Sequence, residues 1–159
     1  MRTLLIVLLF VANTSFAQND LLMDIRLHIG EVFKTESVCL RFQGLFEKAD
    51  ISKDNLLLGY KGAVELGMAR HDPNVFKKMS WFGDGKEHLE QSIKNDSENI
   101  ELRFLRLTIQ TNMPSFLGYN ENKEKDKAFV LNHLEKSPSQ AFRNQVRNFI
   151  KQAEAEGKL

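Results

Sequence analysis

The stretch DNLLLGYKGAVELGMARHD, residues 54–72, combines apolar side chains spaced as in an α-helix with three glycines. A glycine inside a helix costs about 1 kcal/mol relative to alanine, so three of them need a compensating gain. Close packing of a second helix against Gly59, Gly62 and Gly67 would provide that gain. The stretch therefore predicts an internal helix against which other helices pack.

Helical periodicity continues through the rest of the chain, with neither the alternation of a β-strand nor an Asn-Gly hairpin turn. The predicted breaks are short: Asp72-Pro73-Asn74, a turn at Gly83-Asp84-Gly85, and Met113 before Pro114. The sequence thus predicts an all-α fold of about six or seven helices. These helices are expected to stack as antiparallel helical hairpins, in a repeat array or a compact bundle.

Two helix starts are marked by residues that cap helices well. Asp96 or Ser97 is predicted to cap the helix that runs to about Asn112. In SPSQ, residues 137–140, we expect Ser137 to be the cap, the proline to take the first helical position and the glutamine to complete a capping box.

The first 17 residues, MRTLLIVLLFVANTSFA, have the pattern of a secretory signal peptide. The apolar run from Leu4 to Ala12 is far shorter than the about 20 residues of a membrane-spanning helix. Ser15 and Ala17 place small side chains at the two positions that a signal peptidase reads. We therefore predict cleavage after Ala17 and an exported protein, periplasmic or extracellular, with one α-helical domain over residues 18–159. An uncleaved anchor is the alternative.

Charge and cysteine content argue against several classes of protein. One of the 22 basic residues lies in the predicted signal peptide, so the mature chain carries 21 basic and 21 acidic residues. A net charge of zero argues against a nucleic-acid-binding protein, which needs a basic surplus, and against a polybasic membrane-surface protein. Cys39 is the only cysteine and has apolar neighbours, which predicts a buried thiol rather than a catalytic or intermolecular one.

One region carries a likeness to a repeat family. In GKEHLEQSIKNDSENIELRFLRL, residues 85–107, a helical pattern with Leu89 and Ile93 is followed by an Asp-x-x-Asn turn at Asp96 and Asn99 and by a new helix. This arrangement resembles the junction between tetratricopeptide repeats, and LLGYKGAVELGMA is similar to the first helix of such a repeat. The turns are closer in sequence than the roughly 34-residue period of that family. The resemblance implies stacked helical hairpins over about a third of the chain.

A second resemblance concerns the whole mature pattern. The segments GYKGA, ELRFLRL and MPSFLGY, downstream of a signal peptide, resemble those of small exported helical proteins from Gram-negative bacteria. That resemblance implies an exported, helical protein and carries no implication about chemistry.

The helix predicted from Asn99 to about Asn112 carries a narrow polar strip. At about 100° per residue, Asn99, Arg103, Arg106 and Gln110 fall within a sector roughly 60° wide. The remaining circumference is largely apolar, so other helices should surround this one. Each arginine then needs an anionic partner, because burying an unpaired guanidinium group is prohibitively costly.

Two interpretations of this strip are open, and the first is favoured. In the first, the arginines form internal ion pairs with carboxylates of the same chain, for which the candidates are Glu65, Glu87, Glu90 and Asp126. In the second, Arg103, Arg106 and Gln110 present parallel donors to the carboxylate, phosphate or peptide C-terminus of a ligand, with Tyr119 at the rim of a groove.

Other chemistry-bearing residues form no recognisable site. The four histidines, His28, His71, His88 and His133, lie on different predicted elements without metal-ligand spacing, so we predict no metal site. Fingerprints for nucleotides, phosphates or a nucleophilic serine are missing, and we predict neither a cofactor nor a named catalytic residue. Trp81, before the glycine turn, is expected to close the core, with a ligand lid as the alternative.

These observations lead to one functional expectation and two alternatives. We expect an exported binding module that recognises a protein or peptide segment in a groove between helices. It is expected to bind no nucleic acid and to insert into no membrane stably once the signal is removed. A structural or assembly protein without a groove is the alternative, and a hydrolase with an unrecognised carboxylate comes third.

Overall fold

A computed structural model describes residues 18–159, so the predicted signal peptide and its cleavage site lie outside the described residues. The described chain is helical and contains no strand, which confirms the all-α prediction. Residues 18–32 belong to α1. The other α-helices are α2 (Glu36–Phe46), α3 (Asn55–His71), α4 (Val75–Asn95), α5 (Ile100–Asn112), α6 (Lys123–His133) and α7 (Gln140–Ala155). Short 3-10 helices occupy Ser115–Leu117 and Leu134–Lys136.

The chain divides into two compact units. One extends to Ser92, and the other comprises Ile93–Leu159. The division falls near the end of α4, so most of that helix belongs to the first unit.

Helix α3 is the internal helix of the first unit, as its glycines predict. A Cβ atom at Gly62 would lie 2.6 Å from the backbone oxygen of Gly85 and 2.8 Å from the backbone nitrogen of Leu89. At Gly67 it would meet the side chains of Val32 and Cys39 at 2.6 and 3.0 Å. The backbones of α3 and α4 therefore approach more closely at Gly62 than any side chain would permit.

The predicted turn at Gly83-Asp84-Gly85 was wrong, because α4 passes through these residues without a break. The physical reason lies at Gly85, where an added Cβ would be 2.7 Å from the backbone oxygen of Gly62 and 2.8 Å from the backbone nitrogen of Leu66. This glycine permits close helix packing. Gly83 is exposed, and a Cβ there would meet nothing within 4 Å.

Cys39 is buried and free, which confirms the prediction of an inert thiol. Its sulfur lies 3.5 Å from the backbone oxygen of Val64, at the contact of α2 with α3. Burial raises the pKa of the thiol to about 12, with a smaller contribution from the charge of Glu36. The thiol is therefore protonated at physiological pH and a poor nucleophile.

The second unit has its own apolar core, built by α5, α6 and α7. Phe104 of α5 lies at its centre and meets the rings of Phe142 and Phe149 edge-on, with centroids 5.7 and 5.5 Å apart. The buried members of the cluster are Phe104, Leu107, Val130, Leu134, Val146 and Ile150.

Both predicted caps of the second unit were wrong by two or three residues. Asn99, not Asp96 or Ser97, caps α5, since its side-chain oxygen accepts from the backbone N–H groups of Glu101 and Leu102. Ser139 rather than Ser137 caps α7, which begins at Gln140. Several capping residues stand together at each site, and the geometry of the incoming chain decides which one caps.

Candidate functional site

The polar strip of α5 meets a buried carboxylate from α6. Arg106 donates from Nε to Oδ2 of Asp126 at 2.6 Å and from Nη2 to Oδ1 at 2.8 Å. The Asp126 side chain is fully buried and the Arg106 side chain is 4% exposed. This bidentate geometry is the strongest that arginine and a carboxylate form. Of the four internal partners suggested by the sequence, Asp126 is the one that Arg106 contacts in this way.

Arg103 joins the same carboxylate from the edge of the unit. Its Nη1 donates to Oδ1 of Asp126 at 3.0 Å, and its Nε donates to the backbone oxygen of Ser97 at 3.1 Å. The guanidinium carbon lies 4.9 Å from the centroid of the Phe129 ring, a cation–π contact. At 11% exposure, the Arg103 side chain reaches solvent to a small extent.

The other two residues of the predicted ligand site are also buried. Gln110 accepts a hydrogen bond through Oε1 from the backbone N–H of Asn122, at 3.1 Å, which ties α5 to the start of α6. Its Nε2 is buried without a partner among the described residues. Tyr119 is buried in the loop before α6. Asp126 thus joins Arg103 and Arg106, whereas Gln110 bonds to a different element. A ligand-binding role for these four residues stays a prediction.

An open cleft lies in the first unit, where α2, α3 and α4 meet. We call it the α2–α4 cleft, and its volume is about 450 Å³. Apolar side chains from all three helices form its floor: Leu40 of α2, Met68 of α3 and Trp81 of α4. Polar side chains complete the lining, namely Asp72, Lys77, Ser80 and Asp84.

The local structure of the α3–α4 hairpin positions these side chains. Asp72 accepts through Oδ1 from the backbone N–H of Asn74, and Asn74 accepts from the backbone N–H of Lys77. These two bonds fix the turn and the start of α4. Lys77, Trp81 and Asp84 are then spaced three or four residues apart, so they fall on one face of that helix.

A buried polar pair lies beside the cleft on the same two helices. His88 Nδ1 lies 2.6 Å from Oε2 of the buried Glu65, and Lys61 lies 3.4 Å from its other carboxylate oxygen. Glu65 and His88 continue the faces of α3 and α4 that carry Met68 and Asp84. The pair satisfies a carboxylate that would be costly to bury alone.

The sequence interpretation missed most of the cleft. Trp81 was singled out, with a ligand lid as one alternative, but Leu40, Met68 and Lys77 were not. The available signal was the stripe Lys77, Trp81, Asp84 at helical spacing. The predicted turn at residues 83–85 concealed it, because the stripe crosses that turn.

Two broader properties bear on the site. Within residues 18–159, no group of three or more histidine, cysteine, aspartate or glutamate side chains is arranged to hold a metal ion. No helix in the described part of the chain is long and apolar enough to cross a membrane.

Comparison with known proteins adds no further assignment: no family model, curated protein or solved structure matches this chain.

Proposed function

We propose that the protein is an exported binding module and that the α2–α4 cleft holds a short segment of another protein. The observation that carries the proposal is the cleft itself, an open concavity with an apolar floor and a polar rim. Binding sites combine an apolar surface with a few polar groups that fix orientation. Export rests on the signal-like pattern of residues 1–17.

The floor is suited to one or two apolar side chains of a partner. Leu40 is half exposed, and Met68 and Trp81 are partly accessible. Methionine adapts its shape to different partners, and tryptophan is among the residues that contribute most to binding energy in interfaces. Water released from this surface would supply the affinity.

The rim determines how a segment lies across the floor. Asp72 and Asp84 provide acceptors, Lys77 provides a cation, and Ser80 can donate or accept. Asp84 is exposed and accepts from Ser80 Oγ at 3.4 Å, which leaves its carboxylate largely available. We therefore propose a segment with apolar side chains flanked by polar or charged groups, rather than a uniformly apolar one.

Trp81 makes the proposal testable without a label, because it is the only tryptophan in the chain. A library of displayed 12-residue peptides is panned against the immobilised protein, and enriched peptides are synthesised and titrated while Trp81 emission is followed. We expect a blue shift on binding and a loss of affinity of at least tenfold in Met68→Lys, since the lysine places a charge on the floor.

The matched control is Met23→Lys, the same substitution at an exposed methionine of α1 that does not line the cleft. It should bind like the wild type. Leu40→Lys, at a half-exposed position, serves as a second floor variant if Met68→Lys folds poorly. If the enriched peptides bind all three variants equally, the cleft is not the binding site and the proposal fails.

A further inference from the structure

The first two turns of α4 expose three apolar side chains. Phe76 is 84% exposed, Met79 is 69% exposed and Val75 is 66% exposed. We call these residues the α4 apolar edge. They lie on a regular helix whose start is fixed by Asn74, so their exposure is a property of the fold.

This edge is distinct from the α2–α4 cleft. At about 100° per residue, Val75, Phe76 and Met79 occupy a sector roughly 100° wide, on the side of α4 away from Lys77 and the other cleft residues. None of the three lines the cleft. The edge is therefore available whether or not the cleft is occupied.

The charge around the edge has one sign. Residues 75–82, VFKKMSWF, contain two lysines and no acidic residue. Both Lys77 and Lys78 are exposed. Exposed apolar side chains with lysines within one turn, on a helix that also carries Trp81 and Phe82, are typical of helices that lie at a membrane interface.

We propose that the α4 apolar edge docks reversibly on an anionic lipid surface, with Phe76 and Met79 entering the acyl boundary and Lys77 and Lys78 contacting headgroup phosphates. A second copy of the chain fits less well, because three side chains fall short of the roughly 800 Å² per partner of a stable interface. Two facing copies of the edge would also bring four lysines together without an acidic residue from this segment.

The neutral net charge of the mature chain is consistent with docking of this kind. Long-range attraction to the membrane is weak, so the affinity comes from inserting apolar side chains, to which the two lysines add at short range. Such docking is shallow and reversible, unlike the insertion of a membrane-spanning helix.

The test is co-sedimentation of the purified protein with vesicles of phosphatidylglycerol and phosphatidylcholine, and with phosphatidylcholine alone. We expect wild type to partition onto the anionic vesicles and Phe76→Ser/Met79→Ser to lose at least tenfold in partition coefficient. Lys77→Gln/Lys78→Gln should lose about fivefold per lysine, and only on anionic vesicles. All variants share the same N-terminus, so any contribution from the apolar run Leu4–Ala12 cancels.

Phe116→Ser is the matched control, because Phe116 is 85% exposed but lies on a different element. It should partition like the wild type. Equal loss in Phe116→Ser and Phe76→Ser/Met79→Ser would overturn the assignment to α4, and so would wild type that stays in the supernatant. Sedimentation velocity without lipid is the third arm: a wild-type dimer that Phe76→Ser/Met79→Ser abolishes would replace the lipid surface by a second copy. The cleft proposal survives each of these failures, because its floor is not altered.

Discussion

Asp126 is fully buried and accepts three hydrogen bonds from two guanidinium groups, which makes it the residue with the most concentrated electrostatics in the described chain. The cluster carries two cations against one anion. Its position in the first turn of α6 adds favourable interaction between the carboxylate and the helix N-terminus. Removing one partner of such a pair costs more than the pair contributes, since the remaining charge stays buried.

We therefore expect Arg106→Ala to lower the free energy of unfolding by about 3–5 kcal/mol and the thermal midpoint by about ten degrees or more. Arg103→Ala should cost less, because Arg103 is partly exposed and Asp126 keeps both bonds from Arg106. The measurement is thermal unfolding followed by circular dichroism.

Arg147→Ala is the control for this prediction. Arg147 also pairs with a carboxylate, Glu135, but both side chains are exposed, so the loss should stay within about 1 kcal/mol. If Arg106→Ala instead keeps the wild-type midpoint, stability does not explain the arginines. The ligand-binding prediction for Arg103, Arg106, Gln110 and Tyr119 would then be the better account.

At the scale of elements, the crossing of α3 and α4 shows what the sequence could and could not provide. Periodicity located α3 and explained its glycines through close packing, which the contact of Gly62 with Gly85 confirms. The same reasoning was not applied to Gly85, because two glycines around an aspartate also form a common local turn signal. Only the partner helix, more than 20 residues away in sequence, distinguishes a packing glycine from a turn glycine.

This distinction predicts opposite effects for two neighbouring substitutions. Gly85→Ala should destabilise by about 1–3 kcal/mol, because its Cβ would be forced against the backbone of α3. Gly83→Ala, two residues earlier in the same helix, should stabilise by up to about 1 kcal/mol, since it gains helix propensity in open space. Urea unfolding of both variants measures the difference. Equal stabilisation by the two alanines would show that the helices do not approach closely at Gly85.

At the scale of the whole molecule, the sequence predicted the fold class better than the site. Apolar periodicity reports which helix faces are buried, so it located the helices and the apolar character of α5. The α2–α4 cleft depends on which three helices meet and on how far α4 extends past Gly83, and neither is encoded locally. The pairing of Arg106 with Asp126 was one of four possibilities, because a sequence shows the need for a carboxylate but not which helix brings it.

The last prediction concerns the exported form of the chain. Ser15 and Ala17 are small, as a signal peptidase requires, and the apolar run Leu4–Ala12 is too short to anchor the chain by spanning a bilayer. We expect a Gram-negative host expressing the full sequence to release a product in its osmotic-shock fraction that begins at Gln18, as read by intact mass. Ala17→Phe should retain the first 17 residues, because the bulky ring occupies the position next to the cut, while Ala12→Phe, away from that position, should be processed normally. A wild-type product that begins at Met1 would contradict export by cleavage. It would also leave the protein with a net charge of +1 and an apolar N-terminus, and its association with lipid would then have to be measured after that segment had been accounted for.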